Sequence, residues 1–149
     1  MLVAVYGTLR KCCNANALIT NFGGRFIGKG KVRGWNMYAF KIVEQYPFVV
    51  EGDGEVMVEV YEVSKFVMRM LDNYEGGLYD RQVVEVELDT GAIIRAWMYV
   101  LARRYYEVVP YWVKEDIVEE VRCGDWCKHI VGKCSCRLEA DKKTKSLNM

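Results

Sequence analysis

Two positions carry residue types and spacings that could do chemistry. The first is Glu75, in "KFVMRMLDNYEGG". It follows Leu71 by four residues, so the two share one face of a helix. Val67, Met70, Leu71 and Tyr74 recur on that face at helical spacing, which is expected to turn it inward. A carboxylate there loses water and also meets the partial negative charge of a helix C-terminus. Both effects disfavour its ionised form and raise its pKa. A carboxyl group held near neutrality can take up a proton and return it at pH 7. The ordinary alternative is a solvated residue at a frayed helix end, and spacing alone does not choose between them.

The second position is Gly7, where the apolar run of "LVAVYGTLR" stops. A strand ending at Gly7 leaves backbone N–H groups without partners in the sheet, and glycine lets a ligand approach the main chain closely. Such donors suit a carboxylate or a developing oxyanion, where one well-placed donor contributes about 3–4 kcal/mol. The plainer alternative is a tight turn from strand to helix.

Periodicity supplies the elements that must position these groups. Residues 2–6 read as a buried strand with apolar side chains on both faces. Residues 14–20 read as a brief helix. Gly23, Gly24, Gly28, Gly30 and Gly34 then suggest short strands and bends, with "NMYAF" a strand. "YPFVV" (46–50) reads as a strand whose proline calls for an edge or a bulge, "EGDGE" as a turn, and "EVMVEVYEV" (55–63) as a further strand. Ser64 is a natural N-cap for the helix of Glu75, and Gly76-Gly77 a natural stop. "RQVVEVEL" and "AIIRAWMYVL" form a hairpin about Asp89-Thr90-Gly91, and 111–122 reads as a second helix. A run of hairpins interrupted by a helix predicts an α+β domain with a small, mixed, barrel-like sheet.

Composition bounds the rest. With 149 residues, 52% of them hydrophobic, the chain is expected to form one domain over 1–133, with a polar tail over 134–149. A net charge of +1 without a basic block gives no support to nucleic-acid binding. Unbroken apolar stretches of at most seven residues fall far short of the roughly 18 of a membrane span. With no basic leader before Val3, the expected location is cytoplasmic. Cys12 and Cys13 are adjacent, and Cys123, Cys127, Cys134 and Cys136 cluster with His129. Free thiols, disulfides and a metal site all remain open for them, a disulfide scheme joining the first pair to the C-terminal group.

Together, "VYGTLR" (5–10), "YPFVV", "VEVYEV", "LDNYEGGLYDR" (71–81), "AWMYV" (96–100) and "GDW" (124–126) resemble the gamma-glutamylcyclotransferase-like family, in family order. The resemblance implies a small mixed barrel and an enzyme that converts a gamma-glutamyl amide to 5-oxoproline and a free amine, with no cofactor. It implies that Glu75 is the catalytic acid/base, that Tyr6, Gly7, Thr8 and Leu9 line the substrate pocket, and that Tyr99 contacts substrate. Pro47 and Tyr79 would be pocket neighbours. The partner implied is a small gamma-glutamyl molecule, with no nucleic acid or membrane, and monomer and homodimer both open. The chain departs from the pattern at Val58, where relatives have glycine, and at "CCNAN" after the first motif. A metabolite-binding module on the same fold and a cysteine-cluster metal or redox protein are the competing readings.

Overall fold

The computed structural model describes residues 1–41 and 46–132. Among them the chain runs through β1 (Leu2–Val5), α1 (Ala17–Thr20), β2 (Arg25–Phe40), β3 (Pro47–Glu62), α2 (Lys65–Glu75), β4 (Tyr79–Leu88), β5 (Ile93–Leu101), α3 (Val109–Lys114), β6 (Val118–Val121) and α4 (Trp126–Ile130). The sheet order β3-β1-β5-β4-β2 returns to β3 through the β2–β3 pairing, so five strands close a barrel and β6 extends the outer end of β2. This is the expected α+β barrel. The polar tail over 134–149 lies outside the described residues.

β1 is buried on both faces, as its unbroken apolar run requires. Ala4, with Tyr6 just beyond the strand, packs into the barrel interior with Val32, Val58, Met98 and Trp126. Val3 and Val5 pack outward, against Val67, Met68 and Leu71 of α2. The Ser64 hydroxyl accepts from the Val67 amide, capping α2 as expected. Gly76 ends the helix at φ 69°, a conformation that side-chain-bearing residues avoid, and its N–H donates to Asp72 O.

Three local expectations fail, each for a tertiary reason. The glycine-rich stretch forms one 16-residue strand, β2, and "EGDGE" lies inside β3 instead of turning. The glycines there make room for a side chain. Asn36 of β2 lies across the hairpin, its Oδ1 accepting from Gly54 N at 2.8 Å, and a Cβ on Gly52 or Gly54 would collide with it. Pro47 needs no bulge, because it is the first residue of β3.

The third failure is the helix at 111–122. It ends at Lys114, Asp116 turns the chain at φ 59°, and β6 pairs with β2. Val118 and Val121, three apart, look helical in sequence. In the strand they point to opposite faces, Val118 into the cluster around Phe48 and Val121 into the barrel core.

Candidate active site

The chain leaves β1 at Val5 and turns at once, Arg10 N donating to Gly7 O at 3.0 Å. The amides of Gly7, Thr8 and Leu9 donate to no protein acceptor among the described residues. Leu9 anchors this loop in the core beneath α2, 3% exposed. Across from it stand Tyr74 and Glu75, the last two residues of α2. The Thr8 hydroxyl and the Tyr74 hydroxyl are 3.0 Å apart, which ties the loop to the helix end. Together with Tyr46 and Pro47 at the start of β3, Leu78 and Tyr79 after the helix, and Tyr99 on β5, they enclose a cavity of about 350 Å³. That size suits a small metabolite.

Burial pushes the Glu75 carboxyl up to about 7. Desolvation is the first of the two causes that the sequence suggests. Three of the tyrosines around it, Tyr6, Tyr79 and Tyr99, are shifted upward, which favours their neutral form. Burial, the neighbouring Tyr79 and the charge of Glu75 all raise Tyr6, while a hydrogen bond with the Val49 backbone opposes them. Burial and then Glu75 raise Tyr79, whose hydroxyl donates to Pro47 O at 2.7 Å. Burial and the bond to Asp72 raise Tyr99, whose hydroxyl donates to Asp72 Oδ1 at 2.7 Å.

All six expected site residues thus converge on one cavity: Tyr6, Gly7, Thr8, Leu9, Glu75 and Tyr99. Pro47 and Tyr79 line it too. Tyr46 and Leu78 also line it; they stand inside the quoted segments "YPFVV" and "LDNYEGGLYDR" but were not singled out, since nothing in their own side chains marks a chemical role. Tyr74, read as part of the apolar stripe, is 46% exposed at the cavity rim. The structure adds a packing reason for Gly7. Its φ is not positive. An added Cβ would lie 2.7 Å from Pro47 Cγ and 3.1 Å from Pro47 Cδ, so glycine makes room for a buried proline ring. Gly7→Ala is therefore expected to cost about 1–3 kcal/mol by urea unfolding, because a proline ring has no rotamer into which to withdraw. Unchanged stability would show that the loop yields instead.

The loop is held from behind by a buried polar network. Arg10, 7% exposed, donates from Nε to Glu59 Oε2 at 2.8 Å and from Nη1 to Asp125 Oδ1 at 3.0 Å. Glu59 Oε1 also accepts from Lys11 N and from the Tyr61 hydroxyl, both at 2.9 Å. Burial raises the Glu59 pKa, but these donors outweigh it and hold the carboxyl below its usual value. Asp125 caps α4 by accepting from Lys128 N at 3.2 Å. Gly124 sits where a Cβ would strike the Glu55 carbonyl, and Trp126 is 1% exposed in the core. Every residue of "GDW" therefore acts in docking α4.

A disulfide joins Cys12, in the site loop, to Cys127 in α4. Cys13 is a free thiol, and Cys134 and Cys136 lie outside the described residues. Among the described residues no group of three or more His, Cys, Asp or Glu side chains is placed to hold a metal. No described helix is long and apolar enough to cross a membrane.

A family model described as gamma-glutamyl cyclotransferase, AIG2-like, matches residues 3–128. The chain belongs to this family. A Methanocaldococcus jannaschii protein provisionally named a gamma-glutamylcyclotransferase is 39% identical over 102 residues, covering 65% of this chain and 81% of that one. An Escherichia coli protein named for the gamma-glutamylcyclotransferase family is 28% identical over 128 residues, 85% of this chain and 96% of its own. Among solved structures, a Pyrococcus horikoshii protein superposes with a TM-score of 0.60 at 26% identity, over 95% of this chain and 97% of that one. A mouse AIG2-like protein shares the fold, with a TM-score of 0.61 at 23% identity over 75% and 81% of the two chains. Val58 precedes Glu59 on β3. It lies in the barrel core, 1% exposed, and is not among the residues around the cavity.

Proposed function

We propose that the protein is a gamma-glutamyl cyclotransferase: it releases 5-oxoproline and a free amine from a gamma-glutamyl amide by intramolecular aminolysis. The observation that carries this reading is a Glu75 carboxyl that burial pushes up to about 7, lining one cavity with Gly7, Thr8 and Leu9, whose amides have no acceptor among the described residues. Family membership supports it.

Glu75 acts first as a base. It takes a proton from the substrate's α-ammonium group, and the freed amine attacks the γ-carbonyl carbon. A five-membered ring closes as the C–N bond forms. The oxyanion is met by the N–H groups of Gly7, Thr8 and Leu9. Protonated Glu75 then gives its proton to the leaving amine as the original amide bond breaks, and the surplus proton of the ring nitrogen passes through the freed carboxylate to the amine, which departs as an ammonium. One carboxyl serves both halves, so a pKa near 7 suits each transfer. The nucleophile is already part of the substrate, and holding it folded against the carbonyl lowers the entropic part of the barrier.

The test is a panel of gamma-glutamyl amines, dipeptides and isopeptides, assayed for 5-oxoproline. At least one is expected to turn over, and release from none would sink the reading. The base must be ionised in the free enzyme. With the active substrate, kcat/KM is therefore expected to fall about tenfold per pH unit below about 7. A flat profile between pH 5 and 7 would remove Glu75 from the base role.

A further inference from the structure

Two tyrosines that line the cavity have already committed their protons. Tyr79 donates to Pro47 O at 2.7 Å. Tyr99 donates to Asp72 Oδ1 at 2.7 Å, with Met68 O a distant second acceptor at 3.5 Å. A phenol offers one donor and two lone pairs, so a hydroxyl whose proton is spent is left as an acceptor. Asp72 does not rotate freely to release Tyr99. Its Oδ1 is also 3.3 Å from Arg81 Nε. Arg81 stands directly across the β4–β5 ladder from Tyr99. Its guanidinium lies over the Trp97 ring, 4.6 Å from the centroid. The carboxylate is thus held between two donors.

Among the described residues, the cavity lining contains no lysine or arginine, its one ionisable carboxyl is Glu75, and five of its residues are tyrosines. Such a lining, rich in acceptors and without a cation, matches a substrate's amino group better than a second carboxylate. We infer that Asp72, clamped by Arg81, is a positioning residue that turns the Tyr99 hydroxyl proton away from the cavity, so that the Tyr99 oxygen accepts a hydrogen bond from the substrate's α-amino group beside Glu75. This rests on the gamma-glutamyl amide reading of the site. It adds the residues that recognise the amino group and set their donor–acceptor polarity.

The experiment uses two probes that differ only in the α-amino group: γ-L-glutamyl benzylamide and glutaric acid monobenzylamide. Their affinities are measured by calorimetry at pH 7 in the Glu75→Gln protein and in the same protein carrying Tyr99→Phe, Asp72→Ala or Asp72→Asn. The Glu75→Gln protein is expected to prefer the amino-bearing probe at least tenfold. Tyr99→Phe and Asp72→Ala are each expected to lower that preference about tenfold, with affinity for the desamino probe kept within twofold. Asp72→Asn is expected to retain it. Its amide oxygen can still face both Tyr99 and Arg81, whereas its amide nitrogen would set donor against donor.

Tyr99→Phe leaving the preference intact would overturn the inference. So would Asp72→Asn losing as much as Asp72→Ala, equal losses for both probes, or neither probe binding. If Asp72→Ala does not fold, Tyr99→Phe and Asp72→Asn decide the matter. A preference that behaves as expected, while no amide in the turnover panel yields 5-oxoproline, would retain this subsite and refute the cyclotransferase chemistry alone.

Discussion

Glu75→Gln is expected to lower 5-oxoproline release by about 10²–10⁴-fold, the range for removing a positioned acid/base. The same substitution is expected to make the protein more stable at alkaline pH, which separates a lost catalytic group from a damaged fold. In the unfolded chain Glu75 ionises at about 4.5, and in the folded protein at about 7. Below pH 4.5 both states hold the proton and the two proteins should be equally stable. As pH rises from about 4.5 to 7, the folded parent binds more protons than its unfolded state, so its stability falls. Above about 7 the loss is complete, about 3 kcal/mol. Glutamine never ionises and escapes this loss. Urea unfolding of both proteins at pH 4 and pH 8 checks the expectation. Equal stability at both would mean that Glu75 is better solvated than the cavity suggests. Turnover equal to the parent's would take away its catalytic role.

Arg10→Met should produce the second large effect, a loss of about 3–5 kcal/mol by urea unfolding, as expected when one partner of a buried ion pair is removed. Glu59 is 2% exposed and Asp125 8% exposed, so neither carboxylate can turn to solvent when the guanidinium is gone. The double variant Arg10→Met/Glu59→Gln should recover part of the loss, because it leaves fewer unpaired charges. A loss below about 1 kcal/mol in the single variant would show that the network adds little. The consequence reaches the site, since Arg10 lies one residue after Leu9 and joins the cavity loop to β3 and α4. The Cys12–Cys127 bond spans the same junction, so the loop stays tethered to α4 when the ion pair is cut.

Glu75 was legible in sequence because its face is set by local geometry. Four residues of helix return to the same side whatever surrounds them, and Leu71 marks that side as buried. The Ser64 cap, the Gly76 stop and the two buried faces of β1 were legible for the same reason: each depends on a few neighbours along the chain. "GDW" was legible as a motif but not as a function. Its glycine, aspartate and tryptophan meet β3, Arg10 and the core, all distant in sequence.

The chain's own order of residues therefore determined a strand that stops at Gly7, a capped helix that ends on an inward-leaning glutamate, and a family pattern joining them. The tertiary structure decided what those pieces meet. It closed five strands into a barrel, ran "EGDGE" through β3 to accommodate Asn36, and turned Val118 and Val121 into the two faces of a strand. It chose Cys127 for Cys12, gave Gly7 its reason in the Pro47 ring, and brought Tyr46 and Leu78 to the cavity. These outcomes hinge on contacts between residues tens of positions apart, and hydrophobic periodicity reports only which face of an element is buried, never what is waiting on the other side.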